Sequence, residues 1–76
     1  MIGFYIRNLD DAARLTTICS KFNFDIDAIH GTQTIDAKSV MGVVSLLGKF
    51  ITLRPVTDNK EAICVLEKEI KPFCNC

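Results

Sequence analysis

No apolar run in this sequence approaches the roughly 20 residues that a membrane-spanning helix requires. The longest, Val40 to Leu47, is far shorter and is interrupted by Ser45. The first residues lack a basic stretch leading into an apolar core, so neither a membrane nor a secretory signal is indicated and a cytoplasmic location is expected. There is no block of like charge either. Nine Lys and Arg balance nine Asp and Glu, which removes the basic face that a binder of nucleic-acid phosphates needs. Repeats, linkers and low-complexity tracts are absent and 49% of the residues are apolar, so the chain is globular rather than disordered. Its 76 residues are expected to form one domain over 1–76. A domain of that size buries only about 60 to 65% of its unfolded surface, so it has one core and little stability to spare.

Histidine is scarce and cysteine is not. Four cysteines would suggest a disulfide framework in a secreted chain. Here Cys19 and Cys64 fall inside helical patterns and are expected to be buried thiols, while Cys74 and Cys76 follow Pro72 in what reads as a mobile tail. A second reading makes Cys74 and Cys76 a thiol redox or metal module. Two thiolates and the distant His30 fall short of the four ligands of a structural zinc site. No metal or other cofactor is expected.

What the chain does carry is a series of well-marked periodic segments. Ile2, Phe4 and Ile6 alternate with Gly3, Tyr5 and Arg7, as in a strand with one buried face. Asn8 is a suitable N-cap, and Asp10 and Asp11 follow in the first helical turn, where the macrodipole favours negative charge. Leu15, Cys19 and Phe22, joined by Ala12 and Thr16, predict a helix running to about Phe22. Phe24, Ile26 and Ala28 alternate with Asp25 and Asp27 in a second strand that stops at His30-Gly31. A tight hairpin is expected there, with His30 a turn residue at positive φ rather than a ligand or general base. Thr32 to Asp36 returns as a short edge strand, and Phe50 to Pro55 alternates again as a fourth. Asp58 and Glu61 have the spacing of a capping box, with Asp58 as N-cap of a last helix. That helix presents Ala62, Leu66 and Ile70, with Ile63 and Phe73, to the core and stops at Pro72.

Between the third and fourth strands, Lys38 to Leu46 joins a helix start to more apolar surface than so short an element can bury. The Ser39 hydroxyl is placed to accept a hydrogen bond from the N–H of Met41 or Gly42. Gly42 lowers the helix propensity, so the segment holds only if docked on the rest of the fold. Val43, Leu46 and Leu47 fill the inward side, which leaves Val40, Met41 and Val44 partly in water as a candidate partner-binding surface. The order strand, helix, strand, strand, helix, strand, helix predicts an α+β open-faced sandwich. Three helices are expected on one face of a four-stranded, mainly antiparallel sheet.

The wording Lys-Ser-Val-Met-Gly-Val-Val-Ser-Leu over residues 38–46, the Ser20-Lys21-Phe22-Asn23 run and the βαββαβα order together closely resemble HPr. HPr is the histidine-containing phosphocarrier of the bacterial sugar phosphotransferase system. The resemblance implies a phosphoacceptor histidine at the start of the first helix, in a Gly-Ile-His-Ala-Arg-Pro-Ala type motif. Counting back without gaps from Ser20, that position falls on Asn8, the arginine on Asp10 and the proline on Asp11. A carboxamide nitrogen is no substitute, because its lone pair is delocalised. A carboxylate about 6 Å from a phosphate would also repel it by about 2 to 3 kcal/mol at an effective dielectric near 20. Ser39 matches the serine that a dedicated kinase modifies in many relatives, and the bare alternative is that it only caps its helix. The resemblance therefore implies a non-enzymatic, HPr-like regulatory or protein-binding module that has lost phosphocarrier activity. Its partners would be proteins, a transcription regulator or a phosphotransferase-system component. A working phosphocarrier is the alternative.

Overall fold

Alternation of apolar and polar residues at the start of the chain produces β1 (Ile2–Tyr5) in the computed structural model, which describes residues 2–71. There follow α1 (Leu9–Ser20), β2 (Ile26–His30), β3 (Gln33–Asp36), α2 (Val40–Val44), β4 (Phe50–Pro55) and α3 (Lys60–Ile70). The expected order of elements is found throughout. The strands form one antiparallel sheet in the order β1-β4-β2-β3, so the last strand of the chain lies inside it, between the first two.

Register sorts the side chains. Phe4 lies opposite Ile51, and Ala28 lies opposite both Leu53 and Ile35. The even pleat therefore sends Ile2, Phe4, Ile26, Ala28, Ile51 and Leu53 to one face, all buried. There they meet Leu15 and Cys19 of α1, Val43 of α2 with the following Leu46, and Leu66 and Ile70 of α3 in a single core. All three helices cover that face, with α1 packed on both of the others. Full burial of a Leu, Ile or Val contributes roughly 1.5 to 3 kcal/mol, far more than the intrinsic propensity of helices this short. The opposite face, with Tyr5, Phe50, Arg54 and Thr34, stays open.

Several expectations need correction. α1 ends at Ser20, and the chain leaves it through tighter turns in which Lys21 and Phe22 donate to the carbonyls of Ile18 and Cys19. α2 proper is only five residues long, continued by similar turns through Leu47. His30 is not at positive φ but ends β2, paired with Gln33. The turn is Gly31-Thr32, and Gly31 alone takes the left-handed conformation at φ 62°. One glycine at the first central position is enough for such a turn, so His30 stays extended. The cap of α3 is Asn59, whose Oδ1 accepts from the N–H groups of Glu61 and Ala62 at 3.1 and 3.2 Å. Thr57 Oγ1 accepts from the Asn59 N–H, which holds Asn59 in the capping place and leaves Asp58 outside the helix. Cys64 is exposed, whereas Cys19 is buried as expected. Pro72, Phe73, Cys74 and Cys76 lie outside the described residues.

Gly42 has a packing reason to be glycine. A Cβ at this position would run into Ile35 Cγ2 on β3, so α2 can approach the sheet this closely only without a side chain there. Propensity alone predicts that Gly42→Ala stabilises the domain by up to about 1 kcal/mol. The close approach predicts the opposite, a loss of about 1 to 3 kcal/mol in urea unfolding as α2 is forced off β3. A gain in stability would show that Ile35 yields at no cost.

Candidate functional site

The N-terminus of α1 is where the family resemblance puts the chemistry. Asn8 is its N-cap, in extended backbone, with its Oδ1 accepting from the Asp11 N–H at 2.9 Å. Asp11 turns inward and is 4% exposed. Its carboxylate takes both prongs of the Arg7 guanidinium, from Nε at 2.8 Å and Nη2 at 3.2 Å, and also accepts from the Arg7 backbone N–H. These hydrogen bonds hold the Asp11 carboxyl below its ordinary range, against the opposing effect of burial. Asp11 is thus a paired structural charge and not, as expected, a free one facing an incoming anion. Asp10 is exposed and makes no ion pair or hydrogen bond among the described residues, and the nearby Arg14 acts on Asp11.

The second candidate surface is α2. Ser39 caps it, with Oγ accepting from the Gly42 N–H at 3.3 Å and its own N–H donating to the Asp36 carbonyl at 3.0 Å. Lys38 beside it is drawn away, its Nζ on the Phe22 carbonyl at 2.7 Å. Val43 and Leu46 are fully buried, while Met41 is 85% and Val40 51% exposed. Val44 and Leu47 are half-buried against the core. Val43 and Leu46 inside and Val40 and Met41 outside follow the sequence expectation, whereas Leu47, expected inside, is only half-buried, as is Val44, expected partly in water.

The backbone joins these two places. Gly48 N–H donates to the Ile6 carbonyl at 2.7 Å, and Ile6 N–H donates to the Lys49 carbonyl at 3.1 Å. Gly48 sits at φ 81°, a conformation other residues adopt at a cost. The result is an open cleft of about 670 Å³ lined by Arg7, Asn8, Leu9, Asp10, Leu47 and Gly48. Leu9, at 62% exposed, and Leu47 continue the apolar surface of Val40 and Val44 towards α1. Leu9 and the Arg7 to Asp11 pairing were not singled out from the sequence, and Leu47 was expected on the inward side only. The spacing of four between Arg7 and Asp11 was visible, but Arg7 precedes the helix, where that spacing has no fixed meaning.

The remaining sequence candidates among the described residues do not line this cleft. His30 Nδ1 donates to the Phe50 carbonyl at 3.2 Å, at the end of the sheet where β4 begins, and does not line the cleft. Burial pushes the Cys19 thiol up to about 12, so it is a core residue without nucleophilic character. Among the described residues no group of three His, Cys, Asp or Glu is placed to hold a metal ion. No described helix is long and apolar enough to cross a membrane.

The model of the family described as the PTS HPr component phosphorylation site matches residues 9–68. Two solved structures share the fold. HPr-C-His from Thermoanaerobacter tengcongensis is 24% identical over 92% of this chain and 90% of its own, with a TM-score of 0.67. The histidine-containing phosphocarrier protein reported as evidence for the divergence of mycoplasma from Gram-positive bacteria is 21% identical over 99% and 98%, with a TM-score of 0.69. At such identities the likeness establishes the fold alone. No curated protein matches the chain.

The ion pair at α1 has a pH signature. A carboxyl whose folded pKa is depressed adds stability that is complete above its unfolded value, near 3.8, and is lost as pH falls towards the folded value. Wild type should therefore lose stability in acid more steeply than Asp11→Asn, as read from urea midpoints between about pH 6 and 2.5. Parallel curves would mean that the pair adds nothing to folding.

Proposed function

Since this chain belongs to the HPr family by its match over residues 9–68, we propose that it is a member that has lost phosphocarrier activity and acts as a regulatory, protein-binding module through the Ser39 helix. The observation that carries this reading is the side chain at the cap of α1. Asn8 stands at the position that the family resemblance gives to the phosphoacceptor histidine, and its carboxamide oxygen is spent on the Asp11 N–H. Transfer of a phosphoryl group requires a nucleophilic lone pair, which an imidazole nitrogen has and a carboxamide nitrogen lacks. The surroundings agree. Arg7, the cation at this spot, is already engaged by Asp11, and Asp10 sets a carboxylate where a phosphate would have to lie.

With that chemistry gone, the apolar surface of Val40, Met41 and Val44 is the remaining asset. Burying three such side chains against a partner contributes about 3 to 5 kcal/mol before the costs of association, which suits a weak, regulated contact. A transcription regulator or a component of the phosphotransferase system is the kind of protein this reading places there, in the cytoplasm. Ser39 supplies the regulation. Its hydroxyl caps α2 and is half-buried at the margin of the same surface, so a phosphate added there would change the charge of the contact without removing the helix.

Two experiments test this. Incubated with phosphoenolpyruvate and the general phosphotransferase enzyme, the protein should remain unlabelled; acid-labile phosphate on the chain would restore the phosphocarrier reading, above all if it mapped to His30. Met41→Asp should leave the melting temperature nearly unchanged and abolish capture of the partner, whereas Leu46→Asp should unfold the domain. Equal destabilisation by both would make Met41 a core residue and remove the proposed surface.

A further inference from the structure

The apolar surface does not end with α2. Val40, Val44 and Leu47 follow one another at spacings of four and three, which keeps them on one side of the segment, and Leu47 then shares the open cleft with Leu9. A partner lying on α2 therefore extends over the start of α1, where it meets charge. Two charged residues line the cleft, Arg7 and Asp10. The Arg7 guanidinium is cancelled at contact distance by Asp11, while Asp10 is exposed and unpaired among the described residues. Lys49, next along the chain from Gly48, does not line the cleft. Within the cleft Asp10 is thus the one charged side chain not held in an ion pair among the described residues, while Arg14, one turn further along α1, acts on Asp11 and lies outside the cleft.

We propose that this surface takes a protein partner that sets a lysine or arginine against Asp10, beside an apolar side chain seated on Leu9 and Leu47. The inference rests on the protein-binding reading above and adds the sign of the partner's charge. A cleft this open would leave a small molecule mostly in water, but it accommodates side chains projecting from a larger surface that covers Val40 and Met41 as well. A partner with a carboxylate at the same place would be repelled by Asp10, and Arg7 could not relieve the repulsion without leaving Asp11 buried and unpaired.

The test uses the full chain, labelled with nitrogen-15, and two synthetic amphipathic helical peptides. The peptides share one leucine-rich face and differ only in having lysine or glutamate along its flank. Both should shift the amide resonances of Leu9, Met41 and Leu47, the lysine peptide binding about two- to fivefold more tightly at low salt, as exposed charge pairs allow. Asp10→Asn, an exposed substitution, should abolish that preference, as should molar salt. Equal affinities, tighter binding of the glutamate peptide, or a lysine preference that survives in Asp10→Asn would overturn the charge assignment and leave the docking surface standing. If neither peptide shifts these resonances at millimolar concentration, the docking reading falls with it.

Discussion

The backbone clip between Ile6 and the Gly48-Lys49 turn is the constraint on which the candidate binding face depends. Ile6 uses both its N–H and its carbonyl on this turn, and its side chain is wholly buried. β4 can then run antiparallel to β1 directly after the turn, which inserts it into the middle of the sheet. The same two hydrogen bonds bring the end of the α2 segment beside the beginning of α1, so Leu47 and Leu9 become neighbours across 38 positions of sequence. The left-handed backbone of Gly48 is what lets the chain reverse in so few residues.

At the start of α1 the polar groups are turned inward on one another. Asn8 caps the helix, Asp11 is held by Arg7, and neither side chain is left to receive an anion. A helix N-terminus favours negative charge through its N–H groups and its dipole, and here that preference is met by the chain's own carboxylates. The arrangement that stabilises the fold at this point is also the one on which the proposed loss of phosphoryl chemistry rests. A single side chain, Asp10, is left facing outward with its charge intact.

α2 stands at the other extreme. Five residues with a glycine among them do not make a stable helix in water, and this one exists because Val43 and Leu46 are buried and Gly42 lies against Ile35. Its outward residues contribute little to the core, so they are free to serve a contact. Elements of this kind sit at the low end of local stability, which is where binding surfaces are commonly found.

Much of the fold was legible in the residues. Period-2 alternation in Ile2 to Ile6 and Phe50 to Pro55, and the apolar stripe of α1, specify strands and a helix because burial of one face is a local property of the pattern. The Ser39 cap and the split between Val43 and Leu46 inside and Val40 and Met41 outside follow from the same logic. Where two neighbouring residues served a role equally well, pattern could not choose. Asp58 and Asn59 are both good caps, and a hydrogen bond from Asn59 to Thr57 decided between them; a glycine in the hairpin relieved His30 of the positive φ that its place suggested. Cys64 lies within a helical pattern, yet its exposure depends on which face of α3 meets the sheet. The cleft was beyond reach for a different reason. It exists only because the clip at Ile6 brings Leu47 and Gly48 to Leu9 and Asp10, and because Arg7 folds back on Asp11. Such contacts between distant segments leave no periodic mark, so the elements and their inward faces belong to the sequence, while the charge and shape of the surface they build were decided by tertiary structure.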